Sequence, residues 1–202
     1  MARWEAGAEG RLVQAAYELY FERGFDDVTV AEIAARAGLT KRTFFRYFAD
    51  KREVLFSGAA AFQEDVVAVV TNAPDGVAPI DAVVAALAAG GTGLTELGEG
   101  ARRRQHLIDT STELQEREMI KMAGLTAAIS EGLERRGIPE ATASLTAQAG
   151  VTVFKTAFER WAHREGSVEF APLLYETLDE LRTAVRSDDA NSRAGSAPLH
   201  NF

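Results

Sequence analysis

The chain has 202 residues, 47% hydrophobic and 26% charged, the balance of a globular protein long enough for one large or two small domains. It has no cysteine, which excludes disulfides and thiolate metal sites and fits a reducing cytoplasm. The net charge of −8 hides a local reversal: between Arg36 and Arg52 six cations (Arg36, Lys41, Arg42, Arg46, Lys51, Arg52) meet one anion, Asp50, so this window carries +5 and the remainder −13. A basic patch on an acidic body points to a polyanion bound at one end, against the alternative of a chance cluster of solvated cations.

The N-terminal M-A-R-W-E-A-G-A-E-G lacks the apolar run of a signal peptide. The longest apolar run, around Ile80 to Ala89, falls short of the roughly 20 residues that span a bilayer, so no membrane association is expected. The first helix is predicted over R11-L-V-Q-A-A-Y-E-L-Y-F-E-R-G24, with Leu12, Ala15, Ala16, Leu19 and Tyr20 at helical spacing and Gly24 as its stop. Thr29 opens T-V-A-E, a capping box with Glu32, and the helix behind it turns Val30, Ile33, Ala34 and Ala37 inward. Gly38 ends that helix, and Thr40 caps the next after one residue more. This third helix, about Lys41 to Phe48, sets Phe44 and Phe48 inward and leaves Lys41, Arg42, Thr43, Phe45, Arg46 and Tyr47 around its outer face. Asp50 is expected to cap a further long helix, with Glu53 as box partner, through Val54, Leu55, Phe56, Ala59 and Phe62.

Pro74 and Gly76 interrupt the pattern. Helices follow at about 79–97, 101–111, 113–136, 139–164 and 169–186, with Gly90-Gly91 marking a kink or early end in the first. The polar segment 187–202 is expected to be a disordered tail. No alternating strand pattern appears, so the fold class is all-α. The expected domains are 1–52, a three-helix helix-turn-helix, and 53–186, a helical domain.

Two short helices joined at a glycine turn, the second basic outside and aromatic inside, suit a recognition helix in the major groove of double-stranded DNA. Arginine or lysine can pair with guanine, and a threonine methyl or phenyl ring can meet a thymine methyl. The segment T29-V-A-E-I-A-A-R-A-G-L-T-K-R-T-F-F-R-Y-F-A-D-K-R-E-V-L-F56 resembles the signature of TetR-family transcriptional regulators over about residues 8–60. The resemblance implies an N-terminal module that binds operator DNA and a C-terminal helical domain that dimerises and holds a small-molecule effector. It implies Lys41, Arg42 and Thr43 as base-edge readers, with Thr40 beside them, and Thr29, Tyr47 and Lys51 as phosphate contacts. Phe45 stands where many members carry a phosphate-binding tyrosine, and Arg46 could supply the missing anchor.

Two-fold pairing would place two recognition helices one DNA turn apart. The last two helices are the expected interface, through Leu145, Ala149, Val153, Phe154, Ala157, Phe158 and Trp161 on one and Leu173, Leu174, Leu178, Leu181 and Val185 on the other. Phe62, Leu107, Met119, Met122, Phe154, Phe158 and Trp161 are candidates to line a largely apolar effector pocket, with ordinary core packing as the alternative. His106 and Arg102 to Arg104 could meet an anionic effector or form a solvated face. Glu159 and His163 lie four apart, but two ligands make no metal site. No catalytic motif or cofactor signature is present, so the chain is expected to be a cytoplasmic, ligand-responsive regulator that represses transcription, not an enzyme. The alternative is a helix-turn-helix protein without a small-molecule effector.

Overall fold

A computed structural model describes residues 7–164 and 169–194, and the described residues form helices without strands. In chain order they are α1 (Ala8–Arg23), α2 (Val30–Arg36), α3 (Lys41–Tyr47), a 3-10 turn (Glu53–Phe56), α4 (Ala59–Thr71), α5 (Pro79–Leu97), α6 (Glu99–Asp109), α7 (Thr112–Arg135), α8 (Glu140–His163) and α9 (Phe170–Ala194). The chain divides into two compact units, Met1–Asp65 with Leu97–Leu125, and Val66–Glu96 with Thr126–Phe202.

The first unit is built on one apolar core. Leu12, Ala15, Ala16, Leu19 and Tyr20 of α1 meet Ile33 and Ala34 of α2, Phe44 of α3, and Val54, Leu55 and Phe56 of the 3-10 turn. Leu107, Ile108 and Leu114 belong to the same core. That packing is why α6 and the first half of α7 side with the helix-turn-helix, so this division differs from the one expected after residue 52. Polar ties add to it: Arg104 Nε donates to the Leu55 carbonyl at 2.8 Å, and Arg103 lies 4.0 Å over the Phe21 ring. The Glu53 carboxylate takes Lys121 at 3.0 Å and also pairs with Arg117.

Those partners correct two expectations. Asp50 does cap the following turn, its Oδ1 accepting from the amides of Arg52 (2.8 Å) and Glu53 (3.2 Å). Glu53 does not reach back to complete a box, because its carboxylate is held by the two cations of α7. The long helix expected from Asp50 is also broken: the 3-10 turn ends at Phe56, and α4 begins only at Ala59, after Ser57 and Gly58. An 18-residue window within Glu53–Thr71 has mean hydropathy 1.4, but the continuous helix there, α4, has 13 residues, short of the roughly 20 that span a bilayer.

The second unit pairs α8 with α9 and packs α5 beside them. Phe154, Phe158 and Trp161 of α8 surround Phe170 of α9, with ring centroids 5.5 to 6.3 Å from it. Arg160 donates to Glu180 at 2.6 Å, and Arg182 bridges to Asp81 at the start of α5. The early end expected as one outcome at Gly90-Gly91 does not occur, since α5 runs through to Leu97. Gly91 has a packing reason: a Cβ there would lie 2.6 Å from the Phe170 ring. Helix α9 also passes the expected end at 186 and continues to Ala194, the last described residue. The rest of the expected tail, 195–202, lies outside the described residues.

These contacts give two glycines of opposite character. Gly91→Ala should lower the thermal stability by about 1–3 kcal/mol, because the buried Phe170 ring cannot yield cheaply. Gly124→Ala, inside α7 with only Gln63 at an ordinary 3.8 Å, should raise it by about 0.5–1 kcal/mol. Thermal melts of the two variants check both signs.

Candidate nucleic-acid interface

Helices α2 and α3 have seven residues each, so their ends decide whether they persist. At the start of α2 the capping box forms: Thr29 Oγ1 accepts the Glu32 amide at 3.3 Å, and Glu32 Oε2 accepts the Thr29 amide at 2.9 Å. Thr29 Oγ1 also donates to that carboxylate at 2.7 Å, and Arg23 reaches Glu32 Oε1 at 2.9 Å. These bonds, the Thr29 hydroxyl first among them, depress the Glu32 carboxyl to about 2. The end of α2 is a Schellman turn. Leu39 N donates to Ala34 O at 2.8 Å and Gly38 N to Ala35 O at 3.0 Å, with Gly38 at φ 68°, a conformation that needs no Cβ.

Thr40 then caps α3, its Oγ1 accepting the Thr43 amide at 3.1 Å and sharing a hydroxyl hydrogen bond with Thr43 at 3.0 Å. Phe44 is fully buried and Phe48 nearly so, with ring centroids 5.5 Å apart, which fixes the inner face of α3 in the core. Phe45 is 54% exposed and stands edge-on to Phe44 at 5.6 Å. Tyr47 is exposed, and its hydroxyl accepts from Arg46 at 2.9 Å while the Arg46 guanidinium lies 4.9 Å from the ring centroid.

The six cations of the basic window have different fates. Arg36 faces α1, where it binds Glu22 through two bonds of 3.0 and 3.1 Å and Glu18 at 3.4 Å. Arg52 is paired with Asp50 at 2.6 Å, and its hydrogen bonds hold the Asp50 carboxyl below its usual range. The Lys51 ammonium donates to three backbone carbonyls, Phe25 at 2.8 Å, Val28 at 3.0 Å and Asp26 at 3.2 Å, and lies 4.2 Å over the Phe25 ring. Arg46 is engaged with Tyr47. Lys41 and Arg42 are exposed in the first turn of α3, and no hydrogen bond or ion pair holds either of them among the described residues. Lys41, Arg42 and Phe45 share one face, at i, i+1 and i+4.

The residues expected to line a pocket are placed differently. Phe62, Leu107, Met119 and Met122 fall in the first unit. Leu107 is buried in the core with α1, and Met119 is 60% exposed. Phe154, Phe158 and Trp161 come together in the second unit, as an aromatic cluster around Phe170. The arginine run is divided by its contacts, Arg103 on Phe21 and Arg104 on the Leu55 carbonyl. His106 is exposed, and His163 Nδ1 lies 2.7 Å from the carbonyl of Glu159. No cluster of three metal-ligating side chains occurs among the described residues.

The chain is similar to known proteins along most of its length. Residues 12–57 match the model for bacterial regulatory proteins of the tetR family, and residues 77–186 match a model described as the MftR C-terminal domain. A relative from Mycobacterium tuberculosis, named MftR as a mycofactocin biosynthesis transcriptional regulator, is 29% identical over 81% of this chain and 84% of its own. SmeT of Stenotrophomonas maltophilia, solved with triclosan, superposes with a TM-score of 0.57 at 18% identity, over 87% of this chain and 91% of its own. FadR of Thermus thermophilus, solved with lauroyl-CoA, gives a TM-score of 0.53 at 22% identity, over 85% and 91%.

The capping box carries a pH dependence of defined sign. Glu32 titrates at about 2 in the folded protein against an ordinary 4.5, so its contribution is present above about 4.5 and is lost as pH falls towards 2. A carboxyl-carbon NMR titration should give that midpoint, and Thr29→Val should move it back towards 4.5.

Proposed function

The chain belongs to the TetR family of bacterial transcriptional regulators, and from that premise we propose that it is a homodimeric repressor released from operator DNA by a small-molecule effector. The observation that carries the DNA reading is the allocation of charge. Four of six clustered cations are engaged inside the protein, while Lys41 and Arg42 stand exposed on the helix that Phe44 and Phe48 fix in place. An unspent lysine and arginine beside an exposed ring suit the edges of base pairs and the phosphates that flank them. Thr40 and Thr43 lock the first turn of α3, and Tyr47 presents its hydroxyl beside Arg46. Thr29 is exposed at the entry to α2, so these groups complete the proposed contact surface. Operator binding would also call for a cytoplasmic protein, which is the location proposed.

The dimer is proposed through the exposed sides of α8 and α9. Leu145 and Val185 are each 68% exposed and Tyr175 is 45% exposed, whereas Val153, Ala157, Leu173, Leu174 and Leu178 are consumed by packing within the unit. Covering the first three removes apolar surface from water and gives the two-fold pairing that two half-sites require.

Effector release is supported by the ligands named in the SmeT and FadR structures, triclosan and lauroyl-CoA, both with substantial apolar parts. The proposed effector is likewise largely apolar. A route from ligand to DNA exists within the first unit: Arg104 of α6 holds the Leu55 carbonyl, and Arg117 and Lys121 of α7 hold Glu53. Both grips fall on the 3-10 turn that follows α3, so displacement of α6 or α7 pulls on the recognition helix. A ligand acts this way only by binding the non-operator conformation more tightly.

Selection of duplexes from a random pool, followed by gel shift, tests the function. A pair of half-sites about 10 base pairs apart is expected, and Arg42→Ala should cost about 1–3 kcal/mol of discrimination at one position of each half-site. Recovery of no preferred sequence would refute the reading. Leu145→Glu combined with Val185→Glu should yield a folded monomer by sedimentation; an unaltered dimer would place the interface elsewhere.

A further inference from the structure

We infer that Lys51 serves operator binding as a positioning residue, clasping the helix-turn-helix through backbone carbonyls instead of contacting phosphate. The inference rests on the reading that α3 carries the DNA contact. A lysine ammonium has three N–H donors and no acceptor, and here each donor has a carbonyl: Phe25 at 2.8 Å, Val28 at 3.0 Å and Asp26 at 3.2 Å. The Phe25 ring, 4.2 Å away, adds its negative face to the same cation. A phosphate oxygen could be reached only by giving up one of these bonds.

The position of the clasp explains what it does. Residue 51 comes three residues after Phe48, where α3 ends. The carbonyls it gathers belong to the α1–α2 connection, immediately before Thr29, where α2 begins. The Lys51 backbone carbonyl in turn accepts the hydroxyl of Tyr20 at 2.7 Å, and Tyr20 is 1% exposed on α1. One residue therefore binds the exit of α3, the entry to α2 and the end of the supporting helix. Three carbonyls converging on one point suit the compact ammonium; the flat fork of a guanidinium cannot direct three donors into that arrangement.

The two roles leave different marks on salt dependence. A lysine that neutralises a phosphate releases counterions, and its removal makes the slope of log K against log salt shallower by about 0.9 for each phosphate lost. A positioning lysine lowers affinity through geometry and leaves that slope alone. Fluorescence anisotropy of the wild type, Lys51→Met and Lys51→Arg on the selected duplex over a KCl series separates them. Both variants should bind at least about tenfold more weakly with the wild-type slope, and both should melt about 4–8 °C lower. A Lys51→Met slope shallower by about 0.9 per protomer, restored by Lys51→Arg at an unchanged melting temperature, would overturn the inference.

Should Lys51→Met fail to fold, the wild-type protein decides the matter by nitrogen NMR of the Lys51 ammonium. That signal should keep its position as duplex is added, and a coupling to a phosphate phosphorus would contradict the clasp. Absence of any duplex binding by the wild type would instead remove the underlying DNA reading, an outcome independent of residue 51.

Discussion

A seven-residue helix cannot persist on its own hydrogen bonds, because nucleation costs more than so few bonds return, and both helices of the helix-turn-helix have that length. Their existence is a tertiary fact. Phe44 and Ile33 supply it from within, each fully buried in the core that α1 closes. The ends supply the remainder. A capping box opens α2, a Schellman turn closes it, and Thr40 opens α3 within two residues. A shift of α3 by one position would expose Phe44 and put Thr43 or Phe45 in its place, so the same constraint that makes the helix form also fixes which side faces outward.

Charge is distributed on the same logic. An isolated cation is costly to bury and easy to pair, and this chain pairs most of its basic window internally. Arg36 holds α2 to α1 through Glu18 and Glu22, Arg52 closes on Asp50, and Lys51 gathers carbonyls. Beyond the motif, Glu53 and Arg104 fasten the following turn to α6 and α7, so α6 and the first half of α7 belong to the unit that holds the helix-turn-helix. Lys41 and Arg42 stay exposed, with no internal hydrogen bond or ion pair among the described residues. The acidic remainder of the chain would repel DNA elsewhere and favour approach by this face.

Most of the motif was legible because its determinants are local. Spacing gave the buried faces of α1, α2 and α3, and the residue pairs Thr29/Glu32 and Gly38/Thr40 gave their ends. What was not legible depended on partners far along the chain. The Lys51 clasp has no signature, since its acceptors are backbone carbonyls that every residue possesses. Glu53 matched a capping box and was claimed by Arg117 and Lys121, more than sixty residues away. The break at Ser57-Gly58 was written in the sequence but outweighed by the apolar pattern around it. Gly91 appeared to weaken α5 because the ring it accommodates, Phe170, lies on α9. The expected interface on α8 and α9 mixed inward and outward residues, since spacing alone does not say which apolar face meets its own unit and which meets a second copy.

The central claim is that the partitioning of cations in the free protein is the partitioning used on DNA. A crystal structure of the protein bound to its selected duplex tests it most directly. The expected result has Lys41 and Arg42 on base edges or adjacent phosphates, Phe44 and Phe48 still in the core, and the Lys51 ammonium still on the carbonyls of residues 25, 26 and 28. A complex in which Lys41 and Arg42 point to solvent while Arg36, Lys51 and Arg52 have left their internal partners for phosphate would contradict it.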